Sequence, residues 1–188
     1  MRNPIAQNVI LQGAAQAKSS VSSSVERETI YDLVARNAAG ELLWHERFTN
    51  IVVNVGLDDS LDKHLKGSAY TATWYLGLLS GTPTVDPTDT MGSHAGWTEI
   101  TAHNQATRPQ IVLGTVSSQS VDNSGSPIVY TITANGTTVG GAFVTNNNVV
   151  GGSTGLLYSA GAFTAADKGL DNGDTLTVTT TFTASRPA

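Results

Sequence analysis

The chain has 188 residues, a mass of 19.6 kDa, a formal net charge of -5 and no cysteine. That length suits one domain, or one domain with an arm, and is enough to bury a core without covalent staples. The composition excludes disulfides and thiolate metal sites. The acidic balance argues against a nucleic-acid partner, which calls for a basic face, and no apolar run approaches the roughly 20 residues that cross a bilayer.

Charged residues make up only 13% of the chain, against about 25% in ordinary globular proteins. Thr, Ser, Gly, Asn, Ala and Val fill the deficit. Thr and Val suit strands, and Gly, Asn and Ser suit the turns between them. The expected fold is all-β: an antiparallel β-sandwich or jelly-roll-like body with one short helix and an extended N-terminal arm.

In chain order, residues 1–26 (MRNPIAQNVILQGAAQAKSSVSSSVE) show no sustained period. They lack the continuous apolar stretch of a secretory signal. KSSVSSS has the composition of a flexible linker. The segment reads as an arm that a partner orders or as an ordinary flexible terminus, and residues 27–188 as the body. Thr29–Arg36 and Glu41–Phe48 alternate in polarity around a turn holding Asn37 and Gly40, which predicts a hairpin. NVGLDDSLDKHLKG follows, with Leu57, Leu61 and Leu65 on one helical stripe. Asp58 and Asp59 fall in its expected first turn, Lys63 and Lys66 in its last, and Gly67 is the expected C-cap. The stripe should plug one open side of a β core.

Strands are predicted over 71–80 (TATWYLGLLS), within 108–121 after Pro109, over 126–134 (SPIVYTITA), 137–146 and 151–163, and over 173–185. In 126–134, Ile128, Tyr130 and Ile132 share one face. In 173–185, Leu176, Val178, Thr180 and Phe182 do. ANGTT, TNNNVVGG and DNGD separate the later strands, a spacing that suits a sandwich rather than alternating strands and helices. The Gly pairs in TVGGAF and VVGGST read as bulges or close packing.

Charge is unevenly placed. Seven of the ten Lys and Arg lie at or before Lys66, and between Arg108 and Asp167 the only charged side chain is Asp122. Monomers commonly guard sheet surfaces with charge. A nearly uncharged β half suggests a surface covered by other copies or a partner; a Thr/Ser/Asn face soluble without charge is the competing reading.

The chemistry-bearing candidates gather around TPTVDPTDTMGSHAGWTEI: Asp86, Asp89, His94, Glu99 and His103. His94 and His103 stand nine residues apart without HxH or HExxH spacing, so no metal site is expected. Asp86 and Asp89, beside Pro87 and Thr88, fit ordinary turn chemistry. GLDDSLDKH has acids in common with an EF-hand loop but neither its spacing nor its terminal Glu. There is no GxSxG elbow and no Walker A motif. Trp97 beside Glu99 could stack a sugar; more commonly such a Trp anchors a loop on a core or a subunit neighbour. No catalytic group and no cofactor are expected.

Taken in order, NIVVNVGLDDSLDKHLKG, TWYLGLL, DTMGSHAGWTEI, ATRPQ, SVDNSGSPIVYTIT, TVGGAFV, GLLYSAGAF and GDTLTVTTTFT resemble a family of tailed-bacteriophage virion structural proteins. The resemblance spans roughly residues 41–184. It implies a capsid cement or decoration protein on the virion surface, made in the bacterial host cytoplasm, with the major capsid protein as partner. It is expected to be a homo-oligomer, a trimer on local three-fold axes or alternatively a dimer, with no nucleic-acid or membrane partner. The alternative is a tail or head-fibre component that binds a receptor or glycan. The residues expected to meet a partner are Trp74, Trp97 and Glu99 on the body and Ile5, Val9, Ile10 and Leu11 on the arm. On this reading Trp97→Ala weakens oligomer or capsid association.

Overall fold

A computed structural model describes residues 25–69 and 73–186. The expected arm contacts Ile5, Val9, Ile10 and Leu11 lie outside the described residues. The described chain is an all-β sandwich of two antiparallel sheets with a short helix.

The first sheet holds β1 (Glu26–Arg36), β2 (Leu42–Thr49), β6 (Ser120–Asp122), β7 (Ile128–Thr131) and β11 (Thr175–Ser185). Its order is β2-β1-β11-β6, with β7 also on β11. The expected hairpin is β1–β2. Its turn is organised by Asn37, whose side-chain oxygen accepts the Ala39 and Glu41 amides at 3.0 and 2.9 Å, and Gly40 takes φ +85°. β1 and β11 pair in register from Glu26–Ser185 to Arg36–Thr175, so the first and last strands lie side by side in mid-sheet.

The second sheet holds β3 (Ile51–Val52), β4 (Tyr75–Ser80), β5 (Thr98–Glu99), β8 (Thr137–Thr145), β9 (Leu157–Ala162) and β10 (Lys168–Leu170). Its order is β3-β9-β8-β4-β5, with β10 on β8.

Between the sheets lies the main core. Tyr31, Leu33, Tyr130, Leu176 and Val178 from the first sheet meet Leu76, Leu78, Val139, Ala142 and Val144 from the second. Two tyrosines cross it with their hydroxyls held on the opposite sheet, which satisfies the polar tip of a buried ring. The Tyr130 hydroxyl donates to the Leu76 carbonyl at 2.8 Å, and Tyr31 bonds the Ser159 hydroxyl at 3.1 Å. Burial pushes both phenol pKa values up.

A second core covers the outer side of the second sheet. Val53, Leu79, Met91, Trp97, Phe143, Leu157 and Ala160 pack there. Thus β8 is buried on both faces, which accounts for a sequence (TTVGGAFVT) that does not alternate. The Gly pair serves close packing, as expected: a Cβ on Gly140 would overlap the Gly81 carbonyl oxygen, and one on Gly141 the Gly161 carbonyl oxygen.

Two expectations are corrected. The helix α1 (Asn54–Leu61), extended by a π-helical turn over Asp62–Lys66, ends at Gly67 in the left-handed region, as the C-cap reading requires. Its leucines, however, face outward: Leu57, Leu61 and Leu65 are 39%, 57% and 81% exposed. The buried helical positions are Gly56 and Ser60. A Cβ on Gly56 would run into the Tyr158 backbone of β9, so the helix approaches the strand too closely for leucine, and the small side chains take the inner face. Asp58 and Asp59 also lie beyond its first turn.

The strand expected within 108–121 is mostly absent. Gln110 makes one isolated bridge to Tyr75. Ser118 and Gln119 then adopt φ +49° and +58°, reversing the chain between the bridged pair Ser117 and Ser120, as a hairpin turn with two left-handed central residues does. Only Ser120–Asp122 joins a sheet. Val112 and Val116 are left exposed.

Candidate functional site

Two places could carry function: the acid- and histidine-bearing loop before β5, and a groove at the end of the sandwich where β1 begins.

The loop is a cover over the second core. Asp86 Oδ1 accepts the Thr88 amide at 2.8 Å and its hydroxyl at 2.6 Å; these bonds hold the Asp86 carboxyl below its ordinary pKa. Asp89 Oδ2 accepts the Asp86 amide and Trp97 Nε1, both at 3.0 Å. Both aspartates are turn residues, as their sequence context implies. Trp97 is 5% exposed, with its ring 5.1 Å from Phe143 and the His94 imidazole stacked on it at 3.6 Å. The partner expected to take up Trp97 is therefore this chain's own core, and the tryptophan offers no surface to a neighbour.

Glu99 is likewise occupied internally. Its carboxylate receives a two-pronged contact from Arg108, Nε to Oε1 and Nη2 to Oε2, each at 2.8 Å. The Gly151 amide adds a bond at 2.6 Å. Arg108 also donates to the carbonyls of Asn147 and Gly152 at 2.9 Å and lies 5.1 Å over the Phe143 ring. The two side chains are 1% and 7% exposed. A buried ion pair is tolerated when its remaining donors and acceptors are met, and here they tie β5, the 100–110 segment and the 146–152 loop together. The hollow beside the pair measures about 170 Å³, below the roughly 300–1,000 Å³ of small-molecule sites.

His103 belongs to neither place. It sits edge-on to Tyr130 at 4.9 Å, with Nδ1 accepting the Gln105 amide at 3.2 Å. Burial lowers its pKa, against the opposing pull of Glu99. Between that lowered value and the ordinary 6.5, the unfolded chain binds more protons than the folded one. The contribution of His103 to stability is therefore full above about pH 6.5 and declines as pH falls below it. Urea midpoints at about pH 7.5 and about pH 5.5 should differ in that sense, and His103→Asn should shrink the difference. Among the described residues no three His, Asp or Glu side chains come together to hold a metal, and no helix is long and apolar enough to cross a membrane.

The groove has a different character. It encloses about 380 Å³ between α1 with its π-turn, the 113–121 segment and the ends of β9 and β11. Trp74, Tyr158 and Phe182 form its aromatic wall, with ring centroids 5.1 and 5.9 Å apart in succession. Leu113, Val116 and Val121 face them, and Arg27, Lys63, His64 and Asp59 stand at the rim. Of the body residues expected to meet a partner, Trp74 alone reaches such a surface.

Comparison with protein-family models, curated proteins and solved structures finds no significant match.

The sequence reading missed the rest of this groove. Tyr158 and Phe182 read as ordinary strand aromatics, and the valines of 112–121 were assigned to a strand. Arg108 did carry a signal: it is the only Lys or Arg between Lys66 and Lys168, with Glu99 nine residues before it.

Proposed function

We propose that the chain is a capsid cement or decoration protein of a tailed bacteriophage, binding the outer surface of the head as a homo-oligomer and bridging capsid subunits. The observation that carries this reading is the outer face of the first sheet. Along β11, Thr175, Thr177, Thr179, Thr181 and Thr183 line that face, with Ile30 and Val34 of β1 opposite Thr181 and Thr177 and Val129 of β7 opposite Thr177 on the other side. The charges on this face lie on the strands that flank β11: Glu28, Asp32 and Arg36 of β1 stand opposite Thr183, Thr179 and Thr175 and Asp122 of β6 opposite Thr181, with Asp32 paired to His45 at 3.0 Å and Arg47 at 3.5 Å. β11 itself carries no charge, and its outward row of half-buried threonines can be covered at lower desolvation cost than a charged strand. The resemblance of residues 41–184 to phage virion structural proteins supplies the partner, and repetition on a shell multiplies weak contacts.

The test is copy number per particle. Intact heads should carry the protein at many sites over the shell surface. Thr177→Lys with Val129→Lys, which puts two like charges side by side on the uncharged part of this face, should reduce occupancy while leaving the fold intact. A handful of copies at the tail, or occupancy unaffected by the two lysines, would overturn the proposal. The first result would favour a tail or fibre component that binds a receptor or glycan.

A further inference from the structure

We infer that the groove walled by Trp74, Tyr158 and Phe182 is the seat of this chain's own N-terminal apolar segment, Pro4–Leu11, bound within the same molecule. The inference does not depend on the cement reading.

The surface asks for an occupant. The groove opens into a shallower trough that shares Arg27, Val116, Val121, Tyr158 and Phe182 with it and adds Gln119, Thr183 and Ala184. That trough in turn continues, past Gln119, Thr183 and Ala184, to Val25. Val116 is 70% exposed, Val25 67% and Leu113 37%. Isolated exposed aliphatics are ordinary, but a run of them along one concave track marks a binding surface. At about 380 Å³ the deepest part lies within the range of pockets that accept a few side chains.

The chain itself shows what can fill the track. Val25, the first described residue, lies at the far end of the trough, so the preceding residues are tethered at its mouth. Ile5, Val9, Ile10 and Leu11 place four large apolar side chains within seven residues, and Pro4–Leu11 carries no charge. An uncharged segment passes the rim charges of Arg27, Lys63 and Asp59 without repulsion. Residues 12–24 separate the two parts and are rich in Gly, Ala and Ser. Thirteen residues reach at most about 45 Å, enough to turn back along the trough. A linker of that length gives an effective concentration on the order of millimolar. A second copy dissolved at about micromolar concentration competes about a thousandfold less well for the same groove.

Because the chain has no cysteine, introduced pairs report proximity cleanly. The full chain carrying Leu11→Cys and Val116→Cys, oxidised at micromolar concentration, should form an intrachain disulfide about tenfold faster than a control with Leu11→Cys and Val149→Cys. Val149 is also well exposed, at 55%. Adding Ile5→Asp and Val9→Asp should bring the rate down to that of the control. Val116 and Val149 are both surface positions, so folding is preserved, and the tryptophan emission of the variants confirms it. Equal rates for the two pairs would overturn the inference. So would disulfides that form only between chains, which would place the segment in a neighbour's groove, or a rate unchanged by the two aspartates.

Discussion

Replacing Arg108 by alanine should cost about 3–5 kcal/mol of folding stability. The magnitude comes from what is left behind. Glu99 would remain with a side chain only 7% exposed, stripped of both guanidinium bonds and keeping only the Gly151 amide. The carbonyls of Asn147 and Gly152 would lose their donors at the same time. An uncompensated buried charge is more costly than a missing pair. Arg108→Met combined with Glu99→Leu should therefore lose less than Arg108→Ala alone, though some loss persists because the loop carbonyls stay unpaired. Urea unfolding of Arg108→Met, of Glu99→Leu and of the double variant gives the coupling energy directly. The effect should also be local before it is global. Amide exchange at Gly151 and at Arg108, whose own amide donates to Asn148 at 2.7 Å, should accelerate most. A loss under about 1 kcal/mol would mean that water reaches the pair and that it does not hold the three segments together.

The position of that pair explains how far the sequence could be read. Strands with one face on the core announce themselves by alternation. In β7 and β11, Ile128 and Tyr130, and Leu176 and Val178, were each placed on a common face, and that face is the buried one. β8 gives no such signal because the loop before β5 covers its second face, and a loop that doubles as a core layer has no periodicity to reveal it. The helix was misassigned for a related reason. Apolar spacing marks the buried face only when there is room for large side chains, and the approach of Gly56 to the Tyr158 backbone leaves none. In 108–121 the β-favouring composition was real, but the left-handed pair Ser118 and Gln119 breaks the run at residues that carry no Gly or Asn signature. The candidate site suffered most. Trp97 could be read as an anchor on a core or as a contact for a neighbour, and Glu99 as its companion at a partner surface. What fixes them inside is long-range, Phe143 for one and Arg108 for the other, and neither partner is indicated by local spacing. The groove depends on three aromatics drawn from residues 74, 158 and 182, a conjunction that only the topology creates.

Trp97→Ala should destabilise the body by about 3–5 kcal/mol, the range for emptying a large aromatic site. For a chain of this length each kcal/mol shifts the melting temperature by about 2–4 °C, so the variant should melt roughly 6–20 °C lower. Three contacts are removed together: the packing against Phe143, the stacked His94 ring, and the indole N–H bond to Asp89. Trp97→Phe separates them. It keeps most of the ring packing and removes the hydrogen bond, which joins a carboxylate and should by itself contribute about 1.5–3 kcal/mol. Asp89 retains the Asp86 amide, so the smaller end of that range applies. The loop reports the same ordering: exchange at the Thr84 amide, which donates to the Gly96 carbonyl at 2.8 Å, should rise strongly in Trp97→Ala and weakly in Trp97→Phe. Any loss of particle binding by Trp97→Ala should then follow the loss of folded protein and vanish at temperatures where the variant is fully folded. Binding lost at such a temperature, with the melting temperature unchanged, would return Trp97 to the role of a surface contact and would contradict its packing between His94 and Phe143.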